Sequence, residues 1–105
     1  MLFKNNVVIV TGAASGIGKA CSLSFAEKGA KVITVDLNKK GLEDTNMKIN
    51  KKNGKTISVI ADITKKDDIN RIVASAVENF GRIDALVNSA GICQIINIED
   101  ITEEE

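Results

Sequence analysis

Val7-Val8-Ile9-Val10-Thr11-Gly12-Ala13-Ala14-Ser15-Gly16-Ile17-Gly18 is the stretch that decides how this chain folds. Four consecutive apolar residues read as a parallel strand buried on both faces. Glycines at 12, 16 and 18 follow at once and open a helical pattern. A strand feeding a glycine turn and then a helix builds an anion site from backbone alone. The first N–H groups of a helix have no partners within it, and the dipole makes that end positive. Glycine keeps side chains out of the way and reaches backbone angles closed to other residues. A phosphate or pyrophosphate is the ligand such a turn suits.

The spacing is T-G-x-x-x-G-x-G, not the general dinucleotide fingerprint G-x-G-x-x-G. A glycine turn alone could also be tight helix–strand packing with no ligand, so the rest of the chain must decide. A helix is expected over 16–28, with Ile17, Ala20, Cys21, Ser24 and Phe25 on its buried stripe and Gly29 as terminator. A second strand is expected over 31–36, and a weaker helix over 39–50 that keeps only Leu42 and Ile49 in register. A third strand over 56–61 has the alternation of a sheet edge. Thr64, with Asp67 three residues on, reads as the cap of a strong helix striped by Ile69, Ile72, Val73, Ala76, Val77 and Phe80 and stopped by Gly81. A fourth strand begins at 85–87, and Thr102 with Glu105 reads as a further helix start.

Alternating strands and helices predict an α/β fold with a parallel sheet. Right-handed crossovers, with the fourth strand returning beside the first, give strand order 3-2-1-4. That is the first half of a Rossmann-like doubly wound sheet, one domain over residues 1–105 that is incomplete at its C-terminal end. The fourth strand is then an edge. The ligand crevice lies at the carboxyl ends of strands 1 and 4, where the glycine turn and Asn88-Ser89-Ala90-Gly91 meet.

Composition narrows the function. Apolar residues are 44% and charged residues 27% of the 105, and the formal net charge is zero. That is a globular mix. The lysine pairs at 39–40, 51–52 and 65–66 are offset by acids, so a nucleic-acid partner is not expected. There is no histidine, and the two cysteines, Cys21 and Cys93, have no metal-ligand spacing. They read as buried free thiols in a reducing compartment, with a disulfide left open. No apolar run is long enough for a membrane span or a signal peptide, so the cytoplasm is the expected location.

Asp36 ends the second strand, 24 positions after Gly12 (36 − 12). A carboxylate there accepts from both hydroxyls of an adenosine ribose and repels a 2′-phosphate. Neither Ser15 nor Leu37 is basic. NAD is therefore expected over NADP. Asp62, after the third strand, could equally be an ordinary turn residue.

Taken together, Thr11-Gly12-x-x-x-Gly16-Ile17-Gly18, Asp36, Asp62 and Asn88-Ser89-Ala90-Gly91 resemble the short-chain dehydrogenase/reductase family over nearly the whole chain. The unusual glycine spacing is that family's own. Ser89 is a departure from its common Asn-Asn-Ala-Gly. The resemblance implies that backbone around Ser15 and Ile17 holds pyrophosphate and that Asp36 holds the adenosine ribose. Asp62 and Ile63 would meet adenine. Asn88 would support the central sheet and the cofactor, flanked by Ala90 and Gly91. It also implies NAD-dependent interconversion of a secondary alcohol and a ketone, and a parent homo-oligomer, tetramer or dimer. The family's catalysis uses a Tyr-x-x-x-Lys motif, and this sequence has no tyrosine. No catalytic residue is assigned, and the chain reads as the cofactor-binding, amino-terminal part of a longer enzyme, inactive alone. The rival readings are a non-catalytic dinucleotide-binding module and a nucleotide fold of the S-adenosylmethionine type.

Overall fold

The computed structural model describes residues 4–89 and 94–97. β1 (Val7–Thr11) is followed by α1 (Gly16–Glu27), β2 (Lys31–Asp36), α2 (Lys39–Lys51), β3 (Lys55–Ile60), α3 (Lys66–Phe80), β4 (Ala85–Asn88) and β5 (Gln94–Asn97). The sheet order is β3-β2-β1-β4-β5. β1 pairs in parallel with β2 and β4, and β2 with β3. The expected 3-2-1-4 order therefore holds.

Every residue of β1 is buried, because the strand is covered on both faces. Its side chains alternate between two cores. Val7 and Ile9 join Ile33, Val35, Val59, Ile72 and Ala76 beneath α3. Val8 and Val10 join Val32, Leu42 and Val87, with Cys21 and Phe25 of α1 packed against them. Each such valine contributes about 1.5–3 kcal/mol by leaving water. α1 and α2 thus cover one face and α3 the other, as the right-handed crossovers require.

Several expectations are corrected. β4 is not an edge: β5 pairs with it antiparallel, matching Leu86 to Ile96 and Val87 to Ile95. The buried side of α1 is carried by Gly18 and Ser22, whereas Ile17 is 45% exposed. The reason is close approach: small residues let the helix sit down on the glycine turn, and this rotates the larger Ile17 outward. Thr64 does not cap α3. Its hydroxyl and its amide both donate to Asp62 Oδ1, at 2.6 and 2.9 Å, and the N-cap falls on Lys65. The charged acceptor makes the stronger bond and holds Thr64 in the Asp62 turn, one position ahead of the cap. On α3 itself, Ile72 and Ala76 are buried while Ile69, Val73 and Val77 are exposed, so the apolar stripe is wider than the sheet contact. Cys21 is disulfide-bonded rather than free; pairing depends on Cα and Cβ geometry that composition does not carry.

The sheet's amino end is pinned by Asp84. Its Oδ2 accepts the Val7 amide at 2.7 Å, and Arg82 donates to Oδ1. Burial pushes this carboxyl up, but Arg82 and the Val7 amide outweigh it and hold the group below the usual carboxylate range. A lowered folded-state pKa contributes stability above about pH 4, the unfolded value, and that contribution is lost as pH falls through the folded value. Asp84→Asn should therefore destabilise the fold at pH 7, by about 1 kcal/mol for a half-buried amide that keeps only part of these bonds. It should also make the acid loss of stability shallower. Urea unfolding at pH 7 and pH 3 checks both; equal pH dependence in the two proteins would refute the assignment.

Candidate functional site

The site forms where β1 stops. Gly12 leaves the strand at φ +70°, and Gly16 enters α1 at φ +55°. Both angles lie in the left-handed region that glycine tolerates. The three glycines have different tasks. A Cβ on Gly18 would overlap the Gly12 carbonyl oxygen and lie 2.6 Å from its carbon. A Cβ on Gly12 would overlap Ser89 Oγ. A Cβ on Gly16 would meet nothing within 4 Å. Gly18 is therefore required by packing against backbone, Gly12 by its left-handed angle under the Ser89 side chain, while Gly16 fronts open space.

Gly12, Ser15, Gly16 and Ile17 are exposed, and the first turn of α1 carries no acid. The positive end of the helix dipole thus faces solvent without a neutralising side chain, the arrangement that receives a phosphate. Ser15 is the N-cap and makes no side-chain capping bond.

Asp36 stands at the end of β2. Its Oδ2 accepts the Ala14 amide and its Oδ1 the Asn38 amide, each at 3.1 Å. The carboxylate is thereby fixed beside the glycine turn. Gly12, Val35, Asp36, Leu37, Ala61, Asp62 and Ile63 line a cavity of about 200 Å³. That is smaller than the ~300–1,000 Å³ of whole-ligand pockets, so it suits one moiety of a longer ligand. Asp62 is partly engaged in the turn to Thr64, whose hydroxyl and amide lower its pKa. Ile63 is exposed at the rim.

On the other side of β1, Thr11 pairs with Asn88 in the sheet register. The Thr11 hydroxyl lies 3.2 Å from Asn88 Oδ1 and 3.4 Å from the Val87 carbonyl. Ser89 Oγ donates to the Thr11 carbonyl at 2.6 Å. Ser89, in the sequence only a departure from the family pattern, is thus the side chain that closes over Gly12 and Gly18. Ala90 and Gly91 lie outside the described residues. Thr11, Gly12, Ser15, Gly16, Ile17 and Gly18 are therefore gathered with Asp36, Asp62, Ile63 and Asn88 at the carboxyl end of the sheet. Sequence reasoning missed Thr45 and Gly41 of α2, which support this turn from below; no local motif marks either one. Among the described residues no group of three or more metal-ligating side chains assembles, and no helix is long and apolar enough to cross a membrane.

A glycine turn, an acid ending β2 and a 3-2-1-4 parallel sheet define the class of α/β dinucleotide-binding domains. The short chain dehydrogenase family model matches residues 6–105, and the chain belongs to that family. It is 43% identical over 105 residues to an uncharacterized oxidoreductase of Thermotoga maritima, covering all of this chain and 41% of the relative. It is 43% identical over 100 residues to an NAD-dependent glycerol dehydrogenase of Listeria innocua, covering 95% of this chain and 38% of the relative. A crystal structure of a short-chain dehydrogenase/reductase of unknown function from Caenorhabditis elegans, with cofactor, superposes with TM-score 0.80 and 37% identity. That match covers 83% of this chain and 33% of the other. The chain thus spans about two fifths of the length of such curated relatives.

Proposed function

We propose that this chain is the NAD-binding portion of an oxidoreductase that interconverts a secondary alcohol and a ketone. The observation that carries the reading is Asp36, held by two backbone amides at the mouth of a cavity that Gly12 also lines. A carboxylate so placed accepts from the two hydroxyls of an adenosine ribose and opposes a 2′-phosphate. Leu37, 63% exposed beside it, supplies no compensating cation. The amides around Ser15 and Ile17 at the start of α1 receive the pyrophosphate, and Gly16 leaves the approach open. Asp62 and Ile63 border the adenine. Asn88 joins the sheet to the nicotinamide side.

The nicotinamide, when bound, supplies hydride chemistry. This chain's residues bind and orient; with no tyrosine in the sequence, none is assigned the proton transfer. The 105 residues are accordingly expected to bind dinucleotide without turning substrate over. That the Listeria innocua relative is NAD-dependent by name supports the cofactor choice.

Calorimetric titration with NAD, NADP and S-adenosylmethionine tests the reading. NAD should bind at least about tenfold more tightly than NADP, a difference of about 1.4 kcal/mol, and S-adenosylmethionine should give no heat. Tighter NADP binding would overturn the role of Asp36, and binding of S-adenosylmethionine alone would overturn the dinucleotide reading.

A further inference from the structure

Ala13 and Ala14 link β1 to the exposed start of α1, and both are buried. The Ala13 amide donates to the Val35 carbonyl and the Ala14 amide to Asp36 Oδ2, each at 3.1 Å. The Ala13 carbonyl is left to be satisfied, since a buried carbonyl without a donor is costly. The donor is Thr45, 32 positions later on α2 and fully buried, whose Oγ1 lies 2.8 Å from it. The same hydroxyl lies 3.1 Å from the Gly41 carbonyl in its own helix. A threonine inside a helix ordinarily gives its one proton to that i−4 carbonyl. Here the shorter contact is to the turn. One helical turn earlier on α2, a Cβ on Gly41 would lie 2.6 Å from Ala14 Cβ and 2.9 Å from the Ala14 carbonyl oxygen. Two positions at i and i+4 on one face of α2 therefore set the height of two consecutive turn residues. Neither Thr45 nor Gly41 lines the cavity beside Asp36.

We propose that Thr45 and Gly41 are positioning residues that fix where the amides of the α1 start meet a pyrophosphate. The proposal rests on the dinucleotide reading above and adds α2 to the binding machinery. A shift of the turn displaces the phosphate-binding amides, whereas Val35, Leu37, Ala61, Asp62 and Ile63 of the adenosine cavity lie outside the turn and Asp36 keeps the Asn38 amide.

The test compares ADP and adenosine affinities of the 105-residue chain. Thr45→Val removes only the hydroxyl and should lower ADP affinity about fivefold, with adenosine binding changed by less than about twofold. Thr45→Ser keeps the hydroxyl and should restore ADP binding. Gly41→Ala is the independent variant and decides alone should Thr45→Val fail to fold. The added methyl crowds Ala14, so a merely structural role predicts a shifted Tm with an unchanged ADP-to-adenosine ratio. The proposal predicts a selective loss for ADP. An unchanged ADP-to-adenosine ratio in the folded variants, or equal weakening of both ligands, overturns the proposal alone. No ADP binding by the wild-type chain overturns the underlying reading and the proposal with it.

Discussion

Asp36→Ala should weaken NAD binding by about 10- to 100-fold, the loss expected when a hydrogen-bonded charged acceptor worth about 1.5–3 kcal/mol is removed. The carboxylate has two duties. It faces the cavity bordered by Leu37, Asp62 and Ile63, and through Oδ2 it ties the Ala14 amide of the glycine turn. Asp36→Asn separates them. The amide oxygen can still accept from Ala14 or from a ribose hydroxyl, but the negative charge is gone. NAD affinity should fall less than in Asp36→Ala, and the penalty against the 2′-phosphate of NADP should shrink. Calorimetry with both dinucleotides reads the ratio directly. If the NAD-to-NADP ratio were the same in wild type and Asp36→Asn, the charge of Asp36 would not be the discriminating feature.

Gly18→Ala should cost about 3 kcal/mol of stability, at the upper end for overpacking a tight contact. The added methyl would strike the Gly12 backbone, which cannot move without displacing the end of β1, and would lie 2.7 Å from Ser89 Oγ. For a domain of this size the loss corresponds to a Tm drop of roughly 10–20 °C. Gly16→Ala provides the contrast. Its Cβ meets no atom within 4 Å, so only the left-handed backbone at φ +55° opposes it. That opposition is worth about 1–2 kcal/mol. Differential scanning calorimetry should rank Gly18→Ala well below Gly16→Ala. Equal melting points would mean that the turn does not pack as described.

Much of this arrangement is legible in the sequence because it rests on local pattern. The continuous run Val7 to Val10 marks a strand buried on both faces. The expected bounds of β2 match Lys31–Asp36, because Val32, Ile33 and Val35 lie between a glycine-ended helix and a polar turn. Gly81 terminates α3 in the left-handed conformation at φ 77°, as expected of a helix-ending glycine. Asp36 can be placed at the site because its distance from Gly12 follows from one helix and one strand.

What stays hidden depends on long-range contacts. The Thr45–Ala13 bond joins residues 32 positions apart, and nothing in the neighbourhood of Thr45 distinguishes it from any helical threonine. β5 is four residues long and takes its identity from antiparallel pairing with β4. The buried side of α1 escapes hydropathy patterning because glycine and serine carry no such signal, although closeness of approach is what the site needs. Thr64 resembles a cap in sequence because the pattern of side chains does not show that Asp62 takes up its hydroxyl and amide.

The turn from Gly12 to Gly18 and the Asp36 carboxylate are expected to hold one NAD molecule between them. A 1H–15N correlation spectrum of the chain, titrated with NAD, tests this most directly. The amides of Gly12, Ser15, Gly16, Ile17 and Asp36 should shift together along a single saturable binding curve, and those of Asp62 and Ile63 should follow it. Shifts confined to residues away from the carboxyl end of the sheet, or none at millimolar NAD, would contradict it.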